Sequence, residues 1–172
     1  KTDKELTRQE LLSIHNALLY CTSSENNELI KKNNNTFVGY FMSEDIHFDF
    51  FPIDYHEINN AIKKLLDLYN NRLDGAFDNV FIQPFAIHGL LGALQLFNDG
   101  NTRLGRLMQH VLLWKLINEK TEYTYDNPPI YATKTYIPLR EKYRNLIIDI
   151  VKYKDNDIWN EWFNFNLFRI ED

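Results

Sequence analysis

The chain has little cysteine: Cys21 stands alone among 172 residues. An intrachain disulfide is therefore excluded, and a reducing compartment is the expected setting. Basic charge is also short. Lys and Arg number 19 against 24 Asp and Glu, giving a net charge of −5 and a sequence pI near 5.5. A nonspecific nucleic-acid binder needs a net basic face, so nucleic acid is not an expected partner. Local basic groups can still form an anion site within an acidic protein. No apolar run approaches the roughly 20 residues of a membrane span. No signal peptide is recognisable at the start. A membrane is thus not an expected partner, and a cytoplasmic location is expected. The sequence starts at Lys1 rather than methionine, so a preceding segment is expected. Internal repeats are lacking. None of the five histidines stands four residues from another histidine or cysteine, which removes the simplest helical metal pair.

What is present is apolar and aromatic. The composition is 44% hydrophobic and 15% aromatic, well away from disorder. The length suggests one domain, spanning residues 1–172, with enough chain to bury a real core. Leu11, Ile14, Leu18 and Cys21 recur at spacings of three and four, so Glu5 to Cys21 reads as a helix with one apolar stripe. Asn33-Asn34-Asn35 reads as an exposed turn. From Thr36 to Phe51 the period changes to two, around a turn at Ser43-Glu44-Asp45, which predicts a β-hairpin. A lone hairpin is marginal, so it must lie against something. Asp54 can cap a helix that turns Ile58, Ile62, Leu65, Leu66 and Tyr69 inward. Phe77 to Leu94 is apolar nearly all round and should be the central, buried helix. Gly89 and Gly92 lower its helicity by roughly 1 kcal/mol each but allow close packing. Further helices are expected at Arg103 to Ile117, at Leu139 to Tyr153, and after a cap at Asp157. The fold class is all-α, a helical bundle with one β-hairpin.

The stretch Phe97-Asn98-Asp99-Gly100-Asn101-Thr102-Arg103-Leu104-Gly105-Arg106 is a polar turn between two buried helices, and its last part opens a helix. Helix starts leave amide N–H groups unpaired and carry partial positive charge, which suits an anion. Gly100 lets backbone approach a ligand closely. Arg103 and Arg106 are three apart and share a face. Arginines there oppose the helix dipole, which argues for a counter-anion. Asp99 beside phosphates would suit Mg²⁺. On composition alone, a capped turn with solvated arginines is the simpler account.

The same stretch resembles the motif of the Fic (cell filamentation, Fic/Doc) family, His-Pro-Phe-x-Asp/Glu-Gly-Asn-Gly-Arg-x-x-Arg. Phe97, Asp99, Gly100, Asn101, Arg103 and Arg106 match it. His88 stands seven residues before Gln95, as a histidine often does in relatives, and Gly105-Arg106-Leu107 is similar to the family's continuation. The hairpin looks like the family's flap, which holds target segments by strand addition. Tyr143 and Trp159-Asn160-Glu161-Trp162-Phe163 resemble the last two helices. The resemblance implies a Fic-fold bundle with a flap at about 36–51 and a motif loop at 95–106. It implies ATP with Mg²⁺ as cofactors and a hydroxyl on a target protein as acceptor of AMP or another phosphate-containing group. It implies Asp99 for the metal, Gly100, Asn101, Thr102, Arg103 and Arg106 for the phosphates, and Phe37, Val38, Gly39 and Tyr40 for the target.

Three positions depart. Gln95 stands where the family has the catalytic histidine, Leu96 where it has proline, and Thr102 where it has the second glycine. A neutral amide has no usable basicity near pH 7, so Gln95 cannot be a general base; losing one costs on the order of 10²–10⁴ in rate. Glutamine can still orient a hydroxyl. His88 is about 10 Å back along the helix, too far to substitute, and reads as a packed histidine. His47 lies on the expected flap; His110 follows Arg106 by four; His15 and His56 suggest no role. The inhibitory Ser/Thr-x-x-x-Glu-Gly/Asn helix of some relatives is not found, with Cys21 to Glu25-Asn26 sharing only its spacing. Phe163, Phe165, Phe168, Tyr131 and Tyr136 are expected mostly in the core. The expectation is a Fic-fold nucleotide site with impaired transfer. The alternative is an inactive binding module, a pseudoenzyme whose flap docks a protein partner, and a structural remnant with no ligand is a third reading.

Overall fold

The computed structural model describes residues 5–20, 22, 30–32, 38–42, 45–71, 79–121, 138–153 and 155–171. Among the described residues six helices follow in chain order: α1 (Arg8–Leu19), α2 (Ile58–Asn70), α3 (Ile82–Leu94), α4 (Asn101–Lys120), α5 (Arg140–Tyr153) and α6 (Asn156–Glu171). Strands β1 (Val38–Met42) and β2 (Asp45–Phe50) lie between α1 and α2, and a 3-10 turn (Tyr55–Glu57) leads into α2. The expected all-α architecture with one hairpin is therefore found.

Each element follows from local chemistry. Thr7 opens α1 with a capping box: its hydroxyl accepts from the Glu10 amide while the Glu10 carboxylate accepts from Thr7 N–H. This satisfies two donors that a helix start leaves orphaned. The buried stripe of α1 is Leu11, His15 and Leu19, shifted from the expected one. A polar residue sits mid-stripe, which an apolar count passes over. Asp54 caps the 3-10 turn through the His56 amide at 2.9 Å. The last carbonyls of α2 are taken up from α3: Gln83 Nε2 donates to Leu68 O at 2.5 Å and Asn71 O at 3.0 Å. Asp155, not the expected Asp157, caps α6 by accepting from Ile158 N–H at 3.0 Å. Asp157 sits inside the first turn instead.

Helix α3 is the axis of the molecule. One core lies on the side of α1, α2 and α4, with Leu11, Ile62, Leu91, Leu104 and Leu112. A second lies on the side of α5 and α6, with Tyr143, Ile147, Ile150, Trp162 and Phe165. Small residues let the neighbours close in. A Cβ at Gly89 would stand 2.9 Å from Trp162 Nε1, and one at Gly92 would stand 2.7 Å from Ile147 Cδ1. Trp162 uses that approach to donate Nε1–H to Phe85 O at 2.8 Å. Phe168, expected in the core, is 60% exposed. Tyr131 and Tyr136 lie outside the described residues, as do Cys21, Glu25 and Asn26.

The hairpin pairs antiparallel, with Tyr40 opposite His47 and a shift in register between Val38 and Gly39. Its base is fastened at several points. Asp49 is buried and takes a two-point hydrogen bond from Arg144 of α5, Nε to Oδ2 at 2.8 Å and Nη2 to Oδ1. Phe50 is buried in the second core. On the flanks, Ile53 N–H donates to Leu94 O at 3.2 Å and Lys31 N–H to Leu96 O at 3.4 Å. The buried Lys31 also donates Nζ to Ile53 O at 2.9 Å, and burial pulls its pKa down. Ile30 bridges antiparallel to Phe97. The described segments before and after the hairpin, at Ile30 and Lys31 and at Ile53, are thus tied to the end of α3 and the loop that follows.

Candidate active site at the turn between α3 and α4

The loop begins where α3 stops. Gln95 is its C-cap, in the left-handed region at φ 50° and ψ 56°. That conformation costs a non-glycine residue roughly 1–2 kcal/mol, so something must hold it. The side chain does. Gln95 Nε2 donates to Gly92 O at 2.6 Å, and Oε1 accepts from Asn101 Nδ2 at 3.0 Å. Gln95 therefore stands at the end of the central helix, with its side chain bonded to Gly92 and Asn101. Both ends of its amide are bonded inside the turn.

Asn101 is the clamp of the loop. It is 3% exposed. Its Oδ1 accepts from Phe97 N–H at 3.0 Å, and its Nδ2 donates both to Phe97 O at 2.8 Å and to Gln95. These bonds engage both ends of a buried amide, so Asn101 shapes the loop rather than holding a side chain out to a ligand. Leu96, where the family motif has proline, is fully buried in the first core beside Phe97.

Gly100 is the N-cap of α4 at φ 78°, where a Cβ would be strained and would also meet His15 Nε2 at 3.1 Å. The first helical bond runs from Leu104 N–H to Gly100 O at 2.8 Å. The amides of Asn101, Thr102 and Arg103 precede it, at the positive end of a 20-residue helix. Asp99 lies on the open side. Its Oδ1 accepts from Gly100 N–H at 2.5 Å, and its Oδ2 pairs with Arg103 Nη2 at 2.9 Å. The two side chains are 47% and 38% exposed. Arg106, one turn on, is half-buried. Among the described residues no acceptor engages it.

Among the described residues no cluster of three metal-ligating side chains exists. Asp99 offers one partly exposed carboxylate. That fits Mg²⁺ only in the form in which most ligands come from phosphate oxygens and water.

The structure brings Gln95, Asp99, Gly100, Asn101, Thr102, Arg103 and Arg106 together in one turn. Of the flap residues, Val38, Gly39 and Tyr40 form β1, and Phe37 lies outside the described residues. An apolar cleft of about 390 Å³ lies elsewhere, between α2 and α3, lined by Ala61, Leu65, Leu90 and Leu94 and by none of the motif residues.

Among the described residues two histidines are fully buried. His88 donates Nδ1–H to Gln109 Oε1 at 2.5 Å, and its Nε2 accepts from Tyr143 O–H at 2.8 Å. Burial drives its pKa down to about 3, outweighing the rise from the Gln109 bond. It is the packed histidine expected from the spacing, and Gly105 makes room for it, since a Cβ there would lie 2.8 Å from His88 Cδ2. His15 belongs to the loop. Its Nε2 lies 2.7 Å from Asp99 O, and its ring stacks on Phe97 at 4.0 Å and 18°. Sequence reasoning gave His15 no role; the only trace was a polar residue within an apolar helical stripe.

The model of the Fic/DOC family matches residues 5–113, from before α1 to the middle of α4. The chain belongs to the Fic/DOC family. Membership carries the family's nucleotide-transfer function in general terms. No curated protein matches the chain. No helix among the described residues is long and apolar enough to cross a membrane.

Proposed function

We propose that the turn from Gln95 to Arg106 binds the phosphates of ATP with Mg²⁺, in a Fic-type protein whose transfer of AMP, or another phosphate-containing group, to a protein hydroxyl is slow. The observation that carries this reading is Arg106. A half-buried guanidinium without an acceptor among the described residues, one turn from three helix-start amides, is a site that favours an anion. In this reading Thr102 offers its backbone amide, Gly100 gives the turn that exposes it while its own N–H is held by Asp99, Arg103 and Arg106 offer guanidinium groups, and Asn101 holds the loop that presents them. Asp99 would hold Mg²⁺, which supplies charge neutralisation at the phosphates when bound. Such positioning and charge stabilisation act without a base. Gln95 can orient a hydroxyl but cannot take its proton.

The second reading is a pseudoenzyme that docks a protein through its flap. Two observations favour it: both polar ends of the Gln95 amide are bonded within the turn, and the hairpin is a two-stranded sheet with edges able to add a strand. Titration with Mg·ATP, followed by a labelled-transfer assay, separates the readings. Binding with slow transfer, and a loss of at least tenfold in affinity for Arg106→Ala, is expected. Binding without transfer leaves the docking module. No binding at all rejects the nucleotide site.

A further inference from the structure

His15 lies on α1, 84 positions from Asp99 in sequence, yet it meets three residues of the motif loop. Its ring lies flat on Phe97 at 4.0 Å. Its Nε2 is 2.7 Å from the Asp99 carbonyl oxygen. The same nitrogen occupies the space that a side chain at Gly100 would need. A carbonyl can only accept, so Nε2 carries the proton and donates. Nδ1 then holds a buried lone pair with no hydrogen-bond partner among the described residues. Burying an unmet polar atom is unfavourable, and leucine or phenylalanine would fill this space without that cost. What the imidazole adds is a donor at the far tip of a flat, stacked ring. That donor turns the Asp99 carbonyl toward the core, while the Asp99 carboxylate lies against Gly100 N–H and Arg103 on the other side. The peptide between Asp99 and Gly100 is thereby oriented, and with it the left-handed Gly100 and the first amides of α4.

We infer that His15 is a positioning residue for the phosphate-binding turn: from α1, through the Asp99 carbonyl and the Phe97 ring, it sets the direction of the α4 amides. This rests on the nucleotide reading proposed above for what the turn binds, but not for how the turn is held.

The test compares His15→Phe, which keeps a stacked ring without the donor, with His15→Gln, which keeps a donor of similar reach. Losing one hydrogen bond to the loop should weaken Mg·ATP about tenfold in the phenylalanine variant. The glutamine variant should stay within about threefold of wild type. Ligand-free amide exchange gives the second readout. In His15→Phe two hydrogen-bonded amides of the turn, Gly100 N–H and Leu104 N–H, should exchange about tenfold faster, with Leu91 and Leu112 unmoved, and His15→Gln should restore them. Equal loop exchange in wild type and His15→Phe overturns the inference. So does acceleration of the core amides alongside the loop, or failure of the phenylalanine variant to fold, since either makes His15 a packing residue only. A glutamine variant no better than phenylalanine also overturns it. If wild type binds no Mg·ATP, the nucleotide reading fails by itself, and the exchange data alone decide whether His15 sets the turn.

Discussion

Two polar networks border α3, and each joins an imidazole to side-chain amides for a different end. Around His88, an imidazole, the Gln109 amide and the Tyr143 hydroxyl meet between α3, α4 and α5. That network is closed to the surface: His88 and Gln109 are almost completely buried. Around Asn101, two side-chain amides clasp the α3–α4 turn, and the His15 imidazole joins it through Asp99 O and the Phe97 ring. Here the inner side is buried, while the outer side presents Asp99, Arg103, Arg106 and the start of α4. Polar groups sealed on all sides can only hold the fold together, and losing one leaves its partners unpaired. Polar groups sealed on one side hold a shape for something else. Only the second kind is a candidate site, although the two lie within one helix length of each other.

The largest expected effect is on chemistry at the open network. Gln95→His should raise nucleotide transfer, by up to roughly 10²–10⁴ if the base is what the turn lacks. The backbone permits the change, because histidine is among the residues enriched in the left-handed region that Gln95 occupies. It also loses the clasp from Asn101 to Gln95 Oε1, worth about 1 kcal/mol, and the gain shrinks if the turn loosens. Transfer of labelled AMP or phosphate to the protein itself or to a lysate is the measurement, wild type beside variant. If wild type already transfers fast and the variant does not improve on it, the protein uses another base.

The closed network should respond in stability instead. His88→Leu removes the hydrogen bonds that His88 makes to Gln109 Oε1 and the Tyr143 hydroxyl, at about 1–3 kcal/mol for each buried bond lost. Urea unfolding should therefore show a loss of about 3 kcal/mol. His88 also makes wild type acid-sensitive. The unfolded histidine takes a proton near pH 6.5, the folded one only near about 3. Unfolding therefore gains a proton as pH falls through that window. The contribution is intact above pH 6.5, declines on the way down, and is gone below about 3, a loss of several kcal/mol. Stability of His88→Leu should decline less between those limits. Equal slopes would mean that His88 is not neutral in the fold.

The contrast between the networks also explains what could be read from sequence. The hairpin was legible because its period of two interrupts a helical chain, and α3 was legible because Leu90, Leu91 and Leu94 belong to an almost unbroken apolar run. The turn was legible as a motif, residue by residue. The work of Asn101 was not: a motif position says that an amide is wanted, and only the fold shows it bonded to Phe97 and Gln95 rather than held outward. His15 was illegible because its partner is a backbone carbonyl 84 positions away, and carbonyls leave no trace in sequence. The sequence offers Asp157 as a cap, but the helix starts two residues earlier and Asp155 takes the role.

The smallest effect should come from Arg103, and it tests whether the open network serves a ligand or only itself. The Asp99–Arg103 pair joins groups four residues apart that are both more than one-third exposed. Solvent screens such a pair, so Arg103→Ala should change unfolding stability by no more than about 0.5 kcal/mol. Affinity for Mg·ATP should fall further, by about fivefold to tenfold, because a cation leaves the site and the Asp99 charge loses its nearest counterweight. Arg103→Lys separates these causes: it restores the charge but not the planar fork. Recovery by lysine assigns the effect to charge, and no recovery assigns it to guanidinium geometry. The fall should also lessen at higher salt, since the groups concerned face solvent. If stability drops while Mg·ATP affinity holds, Arg103 braces Asp99 and nothing more, and Arg106 is left to carry the anion with the α4 amides.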